Sequence, residues 1–248
     1  MVSDLVLSRL PLLSLIFLTT ASVAAPAKKV SIDPAARAVL QRAAALYSKT
    51  PKWSGQITEA SPVGSVTYNK ISFMRPNRLR YDMRSGPDVS FDIFDGKTHY
   101  LYMKDKGKKA FTRKTPQRTS LARILLMRGA PESFLSSFLH GQTGLESPLQ
   151  NDPDITSFAV TMRPAAKWKG QSCRRVYLAT HFKVDENTIV DSVADELWFN
   201  PTGLLVRSVS WSYISGGAPE MSSCELTAQE FEPKFGAKTF EMVPTKGK

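Results

Sequence analysis

The side chains able to do chemistry in this 248-residue chain are few and scattered. Its histidines are His99, His140 and His181, and none stands in an HExxH, GxSxG or His-rich metal pattern. His99 alternates with apolar neighbours beside Tyr100, which reads as a strand residue. Asp185-Glu186, Asp191 and Asp195-Glu196 form an acidic region. The intervening Asn187-Thr188-Ile189-Val190 lacks the mid-loop glycine and in-register glutamate of a calcium loop, so a solvated surface is the reading. Catalysis would have to come from carboxylates alone, and the sequence predicts no enzyme, no metal and no cofactor. Cys173 and Cys224 belong to no Cys-x-x-Cys motif and have no companion histidine to complete a tetrahedral ligand set. In an exported chain an even cysteine count favours a structural disulfide, here one linking two C-terminal strands and contributing about 2 to 4 kcal/mol.

Export is itself written in the first residues. Arg9 supplies a basic start, Leu10 to Leu18 an apolar run too short to span a bilayer comfortably, and Ala21-Ser22-Val23-Ala24-Ala25 a small-residue exit. The reading is a leader at residues 1–24, cleaved after Ala24, followed by a single domain at 25–248. No cysteine lies near the exit, so nothing there offers a lipid anchor and the mature protein is expected to be soluble. The formal charge is +11, which draws the chain to anionic surfaces. Lys104, Lys106, Lys108, Lys109, Arg113 and Lys114 cluster around Gly107 without the aromatic interleaving of a single-strand nucleic-acid binder. A hairpin tip whose lysines keep an edge from pairing accounts for them, with contact to anionic lipid head groups or an acidic membrane partner as the other reading; nucleic acid is not expected as a partner.

The elements that must position these groups follow from start and stop signals. Asp33-Pro34 caps and opens a helix whose apolar residues Ala36, Val39, Leu40, Ala43, Ala44 and Tyr47 share one face until Thr50-Pro51 stops it. Strands fill most of Trp53 to Arg113, with turns near Pro62-Val63-Gly64, Pro76, Gly86-Pro87, Asp95-Gly96 and Lys106-Gly107. Two short apolar helices follow, Ser120 to Met127 and Pro131 to Leu139, and strands resume from Ile155. These include Cys173 to Thr180, Asp195 to Phe199, Leu204 to Tyr213 and Ser222 to Phe231, with Asn200-Pro201-Thr202-Gly203 as a hairpin turn. Helices and strands do not alternate, which excludes a parallel α/β sheet. The expected fold is mainly β (α+β): a strongly bent antiparallel half-barrel with an N-terminal helix and two short helices on its concave face, which the family resemblance given below casts as a lid.

The stretch Ser65 to Tyr102 is the most telling. Leu79, Tyr81 and Met83 share one strand face, Val89, Phe91 and Ile93 share another, and Asp95-Gly96 suits the tight turn before Tyr100 and Tyr102. Pro76 cannot donate to a central ladder, so a strand ends at Arg75-Pro76-Asn77. A strand ending in RPN, a strand with an aromatic at Tyr81, then DGK and an aromatic pair resembles the LolA-like family of periplasmic lipoprotein carriers, as does the closing FEMVPTKG at Phe240 to Gly247. LolB-type receptors, RseB-type sensors and mycobacterial glycolipid carriers share that architecture with different cargo.

The resemblance implies a periplasmic, non-catalytic monomer that binds lipid or lipoprotein acyl chains beneath a helical lid and carries them towards the outer membrane. It would contact the membrane transiently and meet inner- and outer-membrane transfer proteins. It also implies that Arg75 locks the lid through hydrogen bonds to backbone, the alternative being a solvated rim arginine. The cavity residues expected on this basis are Leu79, Tyr81, Phe91, Ile93, Tyr100, Tyr102, Leu125, Phe134 and Phe138. Arg78, Leu79 and Arg80 depart from the family's more apolar pattern. Trp198, Trp211, Tyr213 and Phe231 are read as core or as further cavity lining. The other functional reading is a periplasmic sensor or scaffold of the same fold that binds a protein partner.

Overall fold

A computed structural model describes residues 29–61, 64–106, 110–116, 131–145, 155–183, 190–214 and 217–241. Its first strand, β1 (Lys29–Ile32), leads directly into α1 (Pro34–Ser48). Asp33 is the N-cap and accepts from the Ala35 N–H at 2.7 Å, while Pro34 occupies a position where no N–H is missed. The face expected to be apolar is the buried one: Ala36, Val39, Leu40, Ala43, Ala44 and Tyr47.

Six strands follow: β2 (Lys52–Ala60), β3 (Val66–Met74), β4 (Arg78–Ser85), β5 (Asp88–Phe94), β6 (Thr98–Lys104) and β7 (Phe111–Pro116). Then come α2 (Glu132–Leu139) and five more strands, β8 (Ile155–Trp168), β9 (Gln171–Phe182), β10 (Val190–Phe199), β11 (Leu205–Ile214) and β12 (Glu220–Phe231). All twelve join one sheet in the order β1-β8-β9-β10-β11-β12-β2-β3-β4-β5-β6-β7. Every pairing is antiparallel except β1 with β8, and no pairing among the described residues joins β1 to β7, so the sheet is open with those two strands at its edges. The first of the two expected short helices, Ser120 to Met127, lies outside the described residues, as do the leader and Leu125.

One continuous core cluster draws on strands from β8 across to β5 and on both helices. That is eight strand spacings, about 38 Å if the sheet were flat. Among the described residues two helices, the longer about 22 Å, pack against this one cluster, as a sheet curled round them allows, with both on its concave face. Cross-strand pairs set the inner rows: Trp53, Phe73, Leu79 and Phe94 in one, Gly55, Ile71, Tyr81 and Asp92 in the next. An added Cβ at Gly55 would come within 2.6 Å of the Trp53 ring, which lies along its own strand over that glycine.

The expected disulfide is not formed, and the correction has a geometric cause. Cys173 and Cys224 are free thiols on β9 and β12, with β10 and β11 between them. Three strand spacings are about 14 Å, twice the largest Cα separation of roughly 7 Å that a bridge tolerates. Burial pushes both thiols up from the ordinary cysteine value, and Glu132 and Glu59 push Cys224 up further.

Candidate functional site

The β3–β4 turn puts Arg75 where two helices end. Strand β3 stops at Met74, the Arg75–Pro76 peptide is cis, and the Arg75 N–H donates to the Pro51 carbonyl at 2.9 Å. The guanidinium then serves several carbonyls at once, as its planar fork allows. Nε donates to Thr50 O and Nη2 to Ser48 O, both at 3.1 Å, at the C-terminus of α1. Nη2 also donates to Leu139 O, the last residue of α2. A cation at two helix C-termini also meets the negative ends of both dipoles. The guanidinium carbon lies 5.6 Å from the Phe73 ring centre, so one face of the fork is covered by an inner-face aromatic.

Helix α2 is buried almost all round: Glu132, Phe134, Leu135, Ser136, Ser137, Phe138 and Leu139 are inaccessible, which is seven of its eight residues. Its phenylalanines reach both layers. Phe138 stacks on Tyr47 of α1 at 6.0 Å and meets Phe199 of β10 at 6.0 Å. Glu132, in the first turn, accepts from the Tyr81 hydroxyl at 3.1 Å and from the Asn69 amide at 3.4 Å, both on the inner face of β3 and β4. A carboxylate that is 4 % exposed is costly unless hydrogen-bonded. Its partners therefore fix the helix's N-terminal end in register with the sheet.

A second polar group lies further along the same face. Asp92 of β5 meets His99 Nε2 of β6 at 2.8 Å, and the imidazole stacks on Phe94 with ring centres 4.2 Å apart. On the far side of the core, Tyr47 donates to Gln229 at 2.6 Å and accepts from the Leu205 N–H at 3.3 Å, and burial pushes its phenol above the ordinary tyrosine value. Among the described residues no group of His, Cys, Asp and Glu is placed to hold a metal ion.

The residues expected to line one cavity are divided between the two faces of the sheet. Leu79, Tyr81, Phe134 and Phe138 are brought together in the core between the concave face and the helices. Phe91, Ile93, Tyr100 and Tyr102 are not. The two-residue turn at Gly86-Pro87 pairs Ser85 with Asp88, and that register sets Leu79 opposite Phe94 and Tyr81 opposite Asp92. Paired residues share a face and neighbours alternate, so Phe91 and Ile93 point to the convex side. Tyr102 and Tyr100 pair with them and follow. The four form an outer-face group in which Phe91 and Tyr102 stack at 4.5 Å.

The later aromatics divide in the same way. Phe231 packs on the core, 5.5 Å from Tyr47. Trp198, Trp211 and Tyr213 lie on the outer face, where arginines interleave with aromatic rings: Arg163 on Tyr177 at 4.2 Å, Arg175 on Trp198 at 4.7 Å and Arg207 on Trp168 at 4.1 Å. Arg175 also makes a two-pronged ion pair with Glu196, each bond 2.9 Å. Alternating Arg and Trp along cross-strand rows was the available sequence signal for this ladder.

No known family profile matches the chain, and no curated protein does either. Solved structures are similar at low identity. Mycobacterium tuberculosis lipoprotein LppX matches at 12% identity and a TM-score of 0.43, over 82% of this chain and 98% of that one. MucB matches at 12% and 0.43, over 86% of this chain and 64% of its own. A LolA superfamily protein from Nitrosomonas europaea matches at 10% and 0.33, over 84% and 97%. At these values each is a likeness from which no activity is taken.

Proposed function

We propose that this protein is a periplasmic, non-catalytic carrier that binds lipid or lipoprotein acyl chains in the apolar interior between the concave face and its helices, for transport towards the outer membrane. The observation that carries the proposal is the Arg75 clasp, which ties α1 and α2 together by hydrogen bonds to backbone carbonyls where both helices end. The RPN motif that places it is also the centre of the sequence resemblance to lipoprotein carriers.

In this reading α2 competes with cargo. Phe134, Leu135, Phe138 and Leu139 occupy apolar volume that acyl chains would fill, so loading displaces the helix and unloading lets it return. Each methylene buried contributes about 0.8 kcal/mol. Against this stand the lost burial of α2, the broken Arg75 and Glu132 contacts, and the ordering of the chains. Bonds to main-chain carbonyls suit such a switch, because their rupture strands no counter-anion in the interior: the acceptors are neutral, and the guanidinium stays charged and is solvated when released.

The test is native mass spectrometry of the protein recovered from its own periplasm without detergent, followed by lipid extraction. An acyl-bearing mass supports the carrier. A ligand-free mass, together with failure to take up a fluorescent fatty acid, contradicts it and favours a sensor or scaffold that binds a protein partner.

A further inference from the structure

A second concave feature lies on the opposite face of the sheet from the acyl-chain interior. Across the outer side of β2 to β5 runs a cleft of about 460 Å³, whose lining includes Tyr68, Lys70, Arg80, Asp82, Arg84 and Phe91. That volume suits a lipid head group or a comparable small molecule. Its three cations differ in what they do. Arg80 is engaged, with Nε bonded to both Asp82 oxygens at 2.9 Å, Nη1 donating to the Thr239 carbonyl at 3.3 Å, and its carbon 5.6 Å from the Phe91 ring centre. Lys70 and Arg84 are exposed. Lys70 pairs across the ladder with Asp82, and Arg84 lies two residues along from Asp82 on the same face. The two cations are thus diagonal neighbours, about 7 to 8 Å apart at the backbone, close enough for their long side chains to converge on one anion.

The apolar residues beside them face water. Tyr68 pairs with Arg84 and is 59% exposed, and Val66, two residues away on the same face, is 39% exposed. The β2–β3, β4–β5 and β6–β7 connections all fall at this end of the sheet, which adds Lys104, paired with Val89, and Lys106. Among the described residues the acidic side chains at this end are Asp82, held by Arg80; Asp88, which accepts from the Lys106 N–H at 2.8 Å; Asp105; Glu59, which lies on the inner face of β2 beside Cys224; and, beside the cleft-lining Thr58, Glu225, which is paired with Lys169. The end therefore combines a protruding tyrosine and valine, a surplus of cations and a head-group-sized cleft.

We propose that this end of the outer face docks on an anionic phospholipid surface, with Tyr68 and Val66 entering the interfacial layer and a lipid phosphate seated in the cleft between Lys70 and Arg84. Tyrosine is at home where one end is apolar and the other wet, and charge-assisted bonds from lysine and arginine suit a phosphate. The inference rests on the geometry of the outer face and stands whatever the interior carries.

The experiment is co-sedimentation of the periplasmically recovered protein with phosphatidylcholine vesicles, with and without phosphatidylglycerol. Binding is expected to require phosphatidylglycerol and to fall with added salt. Lys70→Gln with Arg84→Gln should weaken it about 25-fold, at about fivefold per cation near the surface, and Tyr68→Ser should weaken it further. A charge-matched pair on the other half of the sheet, Lys167→Gln with Arg174→Gln, at exposed positions of β8 and β9, separates a site from the general pull of the +11 charge. It should weaken binding less than the first pair, because the attraction falls off within a Debye length of the surface. Equal losses from the two pairs, unchanged binding in the first pair, or capture by poly-glutamate with no vesicle binding would each overturn the proposal, the last in favour of an acidic peptide. Fatty-acid uptake in solution by the same variants reads the carrier proposal separately and is expected to be unaffected.

Discussion

Arg75 and Glu132 hold opposite ends of the same eight-residue helix to the same pair of strands. Arg75, in the β3–β4 turn, donates to Leu139 O at the C-terminal end of α2, and Glu132, in its first turn, accepts from Asn69 of β3 and Tyr81 of β4. A helix this short has little stability of its own. Its position is set by burial along its length and by these two polar fastenings.

Arg75→Leu removes the guanidinium and leaves the Ser48, Thr50 and Leu139 carbonyls without it. Stability should fall by about 1 to 3 kcal/mol, read from urea unfolding. Hydrogen exchange should speed up at the α2 amides 134–139 more than in β9 or β10. Arg75→Lys, with a point charge in place of a fork, should recover only part of the loss. Uniform exchange changes across the sheet would contradict the fastening role.

How much of this was legible in the sequence depends on the range of the signal. The start of α1 was local chemistry, Asp33 then Pro34, and is where it was expected. The β3 terminus at Arg75-Pro76-Asn77 was local too, and so was the Asn200 turn, whose Oδ1 accepts from the Thr202 and Leu204 N–H groups. Register was not. The apolar alternation of β4 and that of β5 were each read correctly, but which face of one matches which face of the other is decided by a single two-residue turn, and it sets Phe91 and Ile93 on the outside. The four-residue β1 was also beyond reach, because its pairing partner, β8, begins 126 residues after it starts (155 − 29). The cysteine bridge failed for a similar reason: an even count states an opportunity, whereas strand order decides the distance.

Gly55→Ala should be among the most damaging small substitutions in the sheet. The new methyl would sit 2.6 Å from two carbons of the fully buried Trp53 ring, which has no room to turn aside. The expected cost is about 1 to 3 kcal/mol, measured by chemical denaturation; a loss within experimental error would mean that the ring is free to move.

Asp195 gives the fold a pH dependence of definite sign. Burial on the inner side of β10 raises its pKa from 3.8, partly opposed by the Ser210 hydroxyl bonded to it at 2.6 Å. The folded state therefore holds the proton more tightly than the unfolded chain. This contribution is fully present below pH 3.8 and is lost as pH rises through the raised value. Asp195→Asn should flatten that part of the stability profile and be more stable than the parent at neutral pH. A parallel pair of curves would contradict the assignment.

The thiols should be free and hidden. Cys173 and Cys224 are 1% and 3% exposed, so a thiol reagent should label neither in the folded protein and both after unfolding. Addition of a reductant should leave the melting temperature unchanged. A Cys173–Cys224 cross-linked peptide in a non-reducing digest would overturn the strand order β9-β10-β11-β12.

The most direct test of the central claim is the kinetics of acyl-chain exchange in the parent protein and in Arg75→Leu, with a fluorescent fatty acid that brightens on leaving water. The account predicts that the parent takes up the probe, and that loss of the clasp changes the release rate by about tenfold, the equivalent of roughly 1.4 kcal/mol. No uptake by either protein, or uptake with identical release from both, would contradict an interior gated by Arg75.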